Sequence, residues 1–281
     1  MNFINQFILI LLLVIFSSCS KDKFNESLIK EKSLDGQVLE AYTDGLDSLR
    51  GGDVLYAAKK FNEAEMLFPQ SQWAPKSALM AAYSYYSQDY LDDAIAELER
   101  FLKVYPLNKN TDYALYLLAN SHYEKIIDEK KDLQSILLAK KNFNKIKKKF
   151  PRTEYALDAE FKIDLINDIL ASKEMYIGRY YFDRKKWIPA INRFRTVIDE
   201  FDTTIYVEEA LYRLVEVHYT IGLTKEAEKY AQVLGYNYKS SQWYEKSYAI
   251  FNKDYEKKRI KREKKKKSFI KKAKSLFNLD E

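Results

Sequence analysis

The stretch Gly178–Asp202 reads GRYYFDRKKWIPAINRFRTVIDEFD. It predicts the end of one helix, a tight turn at Asp183–Lys186, and a second helix opened by Trp187 and Pro189. Proline suits a first turn, where its missing N–H would have no partner anyway. Ala190 and Phe194 share one face, Val197 and Ile198 follow, and Asp202 stops the helix one residue after Phe201. A single hairpin of this kind cannot bury its own apolar face, so the chain must supply copies of it.

Counting back from the stop, twelve residues lead to Ala190, eight to Phe194, five to Val197 and one to Phe201. The same offsets from Pro69 give Ala57, Phe61, Ala64 and Phe68; from Pro106, Ala94, Leu98, Phe101 and Tyr105; from Pro151, Ala139, Phe143, Ile146 and Phe150. From Lys239 they give Ala227, Ala231, Leu234 and Tyr238, with Ala231 where a large side chain is expected. The stops lie 37, 45, 51 and 37 residues apart. Periods of this size mark helical solenoids, in which each repeat buries its face against its neighbours. Gly45, Ala57, Phe61, Ala64 and Pro69, and again Gly178, Tyr181, Ala190 and Phe194, resemble the tetratricopeptide (TPR) pattern. The expected fold is all-α: a right-handed TPR-like superhelical solenoid of about five helix-turn-helix repeats.

Composition agrees. Among 281 residues there are 7 Gly and 5 Pro against 23 Tyr and 16 Phe. Few helix breakers favour helix throughout, and bulky aromatics serve as wedges between thin layers. The predicted turns are Gly51-Gly52-Asp53, Gln88-Asp89, Asp183–Lys186 and Gly222-Leu223-Thr224. Repeat three is expected to carry a polar insertion at about Asp128–Ser135. Repeat four is expected to open with an over-long helix from about Glu154 to Phe182.

The chain divides into four parts. Residues 1–18 predict a lipoprotein signal peptide, because Phe7–Phe16 is an apolar run of ten, too short to span a bilayer. The sequence Phe16-Ser17-Ser18-Cys19 resembles the bacterial lipobox, which would make Cys19, the only cysteine, the acylated mature N-terminus. Ser20 after it, rather than Asp, points by that resemblance to the outer membrane. Residues 19–36 form a polar tether and 37–252 the solenoid. The 253–281 tail is basic, with 13 Lys or Arg against 5 Asp or Glu. The whole chain carries only +6, so the solenoid is not basic and a nucleic-acid role for it is excluded. The tail has three readings: a solvated charge run, contact with anionic lipid headgroups through Phe269, Ile270, Ala273, Leu276 and Phe277, or docking to an acidic partner.

Catalytic chemistry finds no support. His122 and His218 sit in helices at packing or groove-lining positions, no nucleophile, nucleotide or metalloprotease motif is present, and no metal or cofactor is expected. Tyr83, Tyr86, Tyr116 and Tyr123 fall on first helices of repeats, which line the concave face of TPR-like solenoids. Tyrosine offers rigid apolar area with a polar tip, suited to a peptide groove, although wedge positions between layers take the same residue.

Several stretches carry a closer resemblance: NTDYALYLLANSHY at 110–123, FPRTEYALDAEFKIDLINDILASKE at 150–174, YYFDRKKWIPAINRF at 180–194 and NYKSSQWYEKSYAIF at 237–251. Together with the lipobox and the five repeats they resemble the BamD (YfiO-like) family of outer-membrane lipoproteins. The resemblance implies a non-enzymatic scaffold of the β-barrel assembly machinery, lipid-anchored on the periplasmic side of the outer membrane. Its implied partners are a BamA-like barrel subunit, other assembly subunits and unfolded outer-membrane proteins. It further implies that Asn192 and Arg193 contact the barrel subunit, with a solvated Arg193 as the plain alternative. The competing reading is another periplasmic TPR lipoprotein that scaffolds cell-envelope or division machinery.

Overall fold

The computed structural model describes residues 33–126 and 133–252, together with 261, 264, 265 and 268. The signal peptide, Cys19, most of the tether, the heart of the repeat-three insertion and the apolar positions of the tail lie outside the described residues. Among the described residues there are eleven α-helices and no strand. Five hairpins follow one another: α1 (Leu34–Arg50) with α2 (Val54–Leu67), α3 (Trp73–Tyr86) with α4 (Leu91–Val104), α5 (Thr111–Glu124) with α6 (Leu133–Lys149), α7 (Glu154–Asp183) with α8 (Trp187–Glu200), and α9 (Val207–Thr220) with α10 (Thr224–Asn237). The single helix α11 (Gln242–Phe251) covers the last hairpin.

Each helix packs on the next. The first helices also touch in succession, α1 with α3, α3 with α5 and α5 with α7, which aligns them along one face of a solenoid. The first helix starts at Leu34, inside the expected 19–36 tether, because the Ser33 hydroxyl accepts the Gly36 N–H and caps it. Likewise α6 opens at Leu133, before the expected end of the insertion at Ser135. The long helix of repeat four runs one residue past its expected end, to Asp183.

The repeat pattern is the core pattern. Ala57, Ala94, Ala139, Ala190 and Ala227 are fully buried, as are Ala64, Phe101, Ile146, Val197 and Leu234. So are the large residues Phe61, Leu98, Phe143 and Phe194. In repeats one and four the large residue meets the residue sixteen positions earlier. Gly45 stands before Phe61 and Gly178 before Phe194, Ala82 stands before Leu98, and Val215 before the undersized Ala231. A Cβ built on Gly178 would lie 2.5 Å from the Phe194 ring, and one on Gly45 2.8 Å from the Phe61 ring. The two aromatic rings therefore lie directly on backbone. Along the sequence the sizes compensate, Gly with Phe, Ala with Leu and Val with Ala, so a larger residue sixteen positions earlier offsets the undersized Ala231.

Four of the five hairpin turns close identically. Gly52, Asp89, Lys185 and Gly222 all have φ between 57° and 85°, each two residues before its second helix. Behind them the N–H groups of Asp53, Tyr90, Lys186 and Leu223 reach the carbonyls of Ser48, Tyr85, Tyr181 and His218 at 2.9–3.1 Å. This Schellman-type closure satisfies carbonyls that a helix C-terminus leaves open. Lysine is the costly occupant of that left-handed position. The exposed Lys185 makes no contact that glycine would lose, so Lys185→Gly should stabilise the fold by about 1 kcal/mol. An unchanged or lower melting temperature would contradict this.

Candidate functional site

The first helices of repeats two to four present a file of half-buried tyrosines. Tyr83 and Tyr86 come from α3, Tyr113, Tyr116 and Tyr123 from α5, and Tyr155 from α7. Their rings pack on the main core. The Tyr116 and Tyr155 rings are 4.9 Å apart and Tyr113 is 5.7 Å from Tyr155. Two hydroxyls link neighbouring repeats: Tyr86 donates to Glu124 at 2.6 Å and Tyr116 to Asp158 at 2.8 Å. Burial, then its tyrosine neighbours, push the Tyr113 phenol up to about 12. Burial and the Glu124 carboxylate raise Tyr86 as well. At neutral pH Tyr86 and Tyr113 therefore remain uncharged donors.

Two adjoining clefts open beside this file. One, of about 540 Å³, is lined by Gln72, Trp73, Pro75, Lys76, Asn108, Lys109 and Asn110. The other, of about 520 Å³, is lined by Lys76, Tyr83, Lys109, Asn110, Tyr113 and Tyr155 among others. Lys76, Lys109 and Asn110 form the shared wall. Of the four tyrosines singled out from sequence, Tyr83 lines one of these two clefts and the other three line neither. Tyr86 and Tyr116 bridge repeats through Glu124 and Asp158, and Tyr123 lies under the Lys162 ammonium at 4.5 Å. Sequence reasoning missed Trp73, Lys76 and Lys109, which come from the start of α3 and the loop before α5. Tyr113 and Tyr155 had the right periodicity, yet only the packing of α5 on α7 brings them together.

The second region is the face built by α7 and α8. Asn192 is exposed, and its carbonyl accepts the Thr196 hydroxyl at 3.1 Å. Arg193 is already engaged within the chain: Nη1 sits 3.2 and 3.0 Å from the two oxygens of Glu174 on α7. Even so, 43% of the Arg193 side-chain surface is open to solvent. Next to it runs a network across repeats four and five. Arg179 Nη1 contacts both Glu209 oxygens at 2.9 Å, and Arg213 joins Glu209 at 3.4 Å and Glu216 at 2.8 Å. Linked networks of this kind hold orientation better than isolated surface pairs.

The two histidines are packed. His218 places Nδ1 2.7 Å from the Leu214 carbonyl and stacks on Tyr230 at 5.3 Å. His122 is buried, and burial lowers its pKa, with Glu99 opposing. Among the described residues no three His, Cys, Asp or Glu side chains gather as a metal-ligand set. No helix among them is long and apolar enough to cross a membrane.

Residues 34–234 match the sequence profile of a family named YfiO and described as an outer membrane lipoprotein. The matched span takes in the five hairpins up to the last three residues of α10. The chain is 40% identical over 211 residues to the outer membrane protein assembly factor BamD of Caulobacter vibrioides, covering 75% of this chain and 69% of that protein. It is 38% identical over 237 residues to the protein of the same name from Rickettsia prowazekii, covering 84% and 92%. A third relative of that name, from Neisseria meningitidis, is 32% identical over 217 residues, covering 74% and 81%.

Proposed function

The chain belongs to the YfiO family of outer-membrane lipoproteins, and from that premise we propose how it acts as a component of the outer-membrane protein assembly machinery. It is a scaffold rather than a catalyst, held to the periplasmic side of the outer membrane by a lipid on Cys19. The α7–α8 face, with Asn192 and Arg193, receives a soluble domain of the BamA-like barrel subunit. The N-terminal clefts and the tyrosine file receive unfolded outer-membrane proteins.

The observation that carries this reading is the family match across the whole array, joined to two separate open surfaces on it. A solenoid exposes long concave surfaces without altering its core, so one rigid body can hold a folded partner at one end and an extended client at the other. An arginine with part of its guanidinium open can add a partner carboxylate to the Glu174 it already binds. The competing scaffold role in division or envelope maintenance predicts different partners.

Affinity purification of the full-length chain from detergent-extracted membranes separates the two. A BamA-like barrel should co-purify, and Arg193→Ala should reduce its recovery several-fold. Arg193→Lys should restore it only in part, because an ammonium lacks the planar fork. The Glu174 pair is half exposed and should contribute less than about 1 kcal/mol to the fold, so both variants should melt near the native temperature. Unchanged recovery with Arg193→Ala sinks the interface role, and absence of any barrel subunit sinks the partner reading.

A further inference from the structure

The second helix of repeat three breaks the charge pattern of the array. α6 carries six lysines and no Asp or Glu. In α2, α8 and α10 two acidic side chains balance two basic ones, and in α4 four acidic side chains outnumber two basic ones. Lys147 pairs with Glu160 of α7 at 2.9 Å, and the Lys140 ammonium lies 5.2 Å from the centre of the Phe201 ring. The other four, Lys141, Lys145, Lys148 and Lys149, are exposed and form no ion pair among the described residues. Ile136, Ala139, Phe143 and Ile146 bury the opposite face of the helix against α5 and α7. The helical period therefore lines up Leu133, Leu137, Lys141, Lys145 and Lys148 on the outward face. Leu133 is 37% exposed and Leu137 49%. The helix dipole favours cations in the last turn and accounts for Lys148 and Lys149. It does not account for Lys141 and Lys145, a turn or more further back. Like charges three and four residues apart repel, so the face costs the fold stability that nothing on α6 returns.

We propose that the outward face of α6 docks on the anionic phospholipid headgroups of the membrane that carries the protein. The lysines meet the phosphates, and Leu133 and Leu137 press into the interface beside them. Neither cleft described above includes a residue of α6, so the face offers no socket for a shaped partner. A helix edged with long, flexible ammonium groups meets a plane of headgroups without one. Lysines alongside apolar residues are also the composition of helices that lie against membrane surfaces. An N-terminal lipid alone leaves the body free to swing on its tether, whereas a second, charged contact fixes which side faces the membrane. The basic face is turned away from α5, so docking leaves the clefts beside α5 open. The inference rests on membership of an outer-membrane lipoprotein family and not on the partner surfaces assigned above.

The test is co-sedimentation with phospholipid vesicles of the chain from Ser20 onward, which keeps every described residue and removes the signal segment and the acylation site. Vesicles of phosphatidylcholine mixed with phosphatidylglycerol should capture the chain, and vesicles of phosphatidylcholine alone should not. Raising the salt from about 0.1 M to about 1 M shortens the screening length from about 10 Å to about 3 Å and should release it. Each lysine near an anionic surface strengthens the attraction about fivefold. Replacing all four, Lys141→Gln/Lys145→Gln/Lys148→Gln/Lys149→Gln, should therefore weaken capture by at least about tenfold. That variant should melt at or above the native temperature, because the repulsion along the helix is gone. The corresponding four Lys→Arg replacements should bind like the native chain. Lys59→Gln/Lys103→Gln/Lys225→Gln/Lys239→Gln, four exposed lysines elsewhere on the solenoid, removes the same net charge and should cost no more than about twofold. Equal losses in the two Gln variants overturn the docked face in favour of overall charge. Full capture of the α6 Gln variant overturns it too, and assigns the lipid contact to the basic 253–281 tail. Absence of capture by the mixed vesicles overturns the lipid reading and hands the face to an acidic protein partner.

Discussion

Phe194→Ala should destabilise the array by about 3–5 kcal/mol, the range for emptying a fully buried aromatic site. The ring is completely buried and lies against backbone at Gly178, so nothing on α7 can move in to fill the space. The reverse experiment is more informative. Gly178→Ala should gain about 1 kcal/mol of helix propensity, yet its Cβ would stand 2.5 Å from the ring. Overpacking of about 1–3 kcal/mol then wins, and the variant should be less stable than the native chain. Adding Phe194→Leu to Gly178→Ala should recover much of that loss, because Ala82 with Leu98 holds the same positions two layers earlier. Chemical denaturation of the four chains closes a double-mutant cycle. If Gly178→Ala raised stability, or if Leu failed to rescue it, the volume-pairing account would be wrong.

That account also shows where a sequence speaks and where it falls silent. The offsets from Pro69, Pro106, Pro151 and Asp202 locate buried positions because a helix repeats its faces every few residues, and burial in every layer demands the same residue sizes. The long helix of repeat four was visible for the same reason, as was the family in the 110–123 and 180–194 stretches. Lys185 gave no such signal. Its left-handed backbone is imposed by the closure of the turn, which repeats one, two and five achieve with Gly or Asp. The clefts were hidden for a different reason. Trp73 and Lys76 belong to one repeat and Lys109 to the next, so only stacking makes them neighbours. Tyr86 and Tyr116 looked like groove residues because periodicity reports a face, whereas the carboxylates that claim their hydroxyls lie 38 and 42 residues away. Arg193 shows the same limit, since Glu174 sits nineteen residues earlier on another helix.

The second large effect is expected at the join between repeats one and two. Glu65 on α2 is buried, and Arg100 on α4 grips it at both ends, Nη1 to Oε1 at 2.9 Å and Nη2 to Oε2 at 2.6 Å. The Tyr105 hydroxyl adds a third bond at 2.7 Å, and Glu97 holds Arg100 Nε at 2.8 Å. The Glu65 bond is the main reason the Arg100 pKa is raised. Arg100→Met leaves a buried carboxylate with only a phenol for company. Breaking a fully buried pair costs about 3–5 kcal/mol. The Arg100 side chain is 38% exposed, so water softens the loss to about 2–3 kcal/mol. Glu65→Met added to Arg100→Met should return most of it, because an apolar pair removes the stranded charge. A single variant within about 0.5 kcal/mol of the native chain would refute the clamp. The loss should also be local. In a solenoid each repeat is held by its neighbours, so hydrogen exchange should quicken first in α1 and α2 rather than across the chain. The Lys76 ammonium, on the wall the two clefts share, lies 4.8 Å from the ring centres of Trp73 and of Tyr42 on α1, so affinity for unfolded clients at these clefts should fall with the docking of repeat one. Arg100 touches neither cleft, and its effect on binding would have to travel through that docking alone.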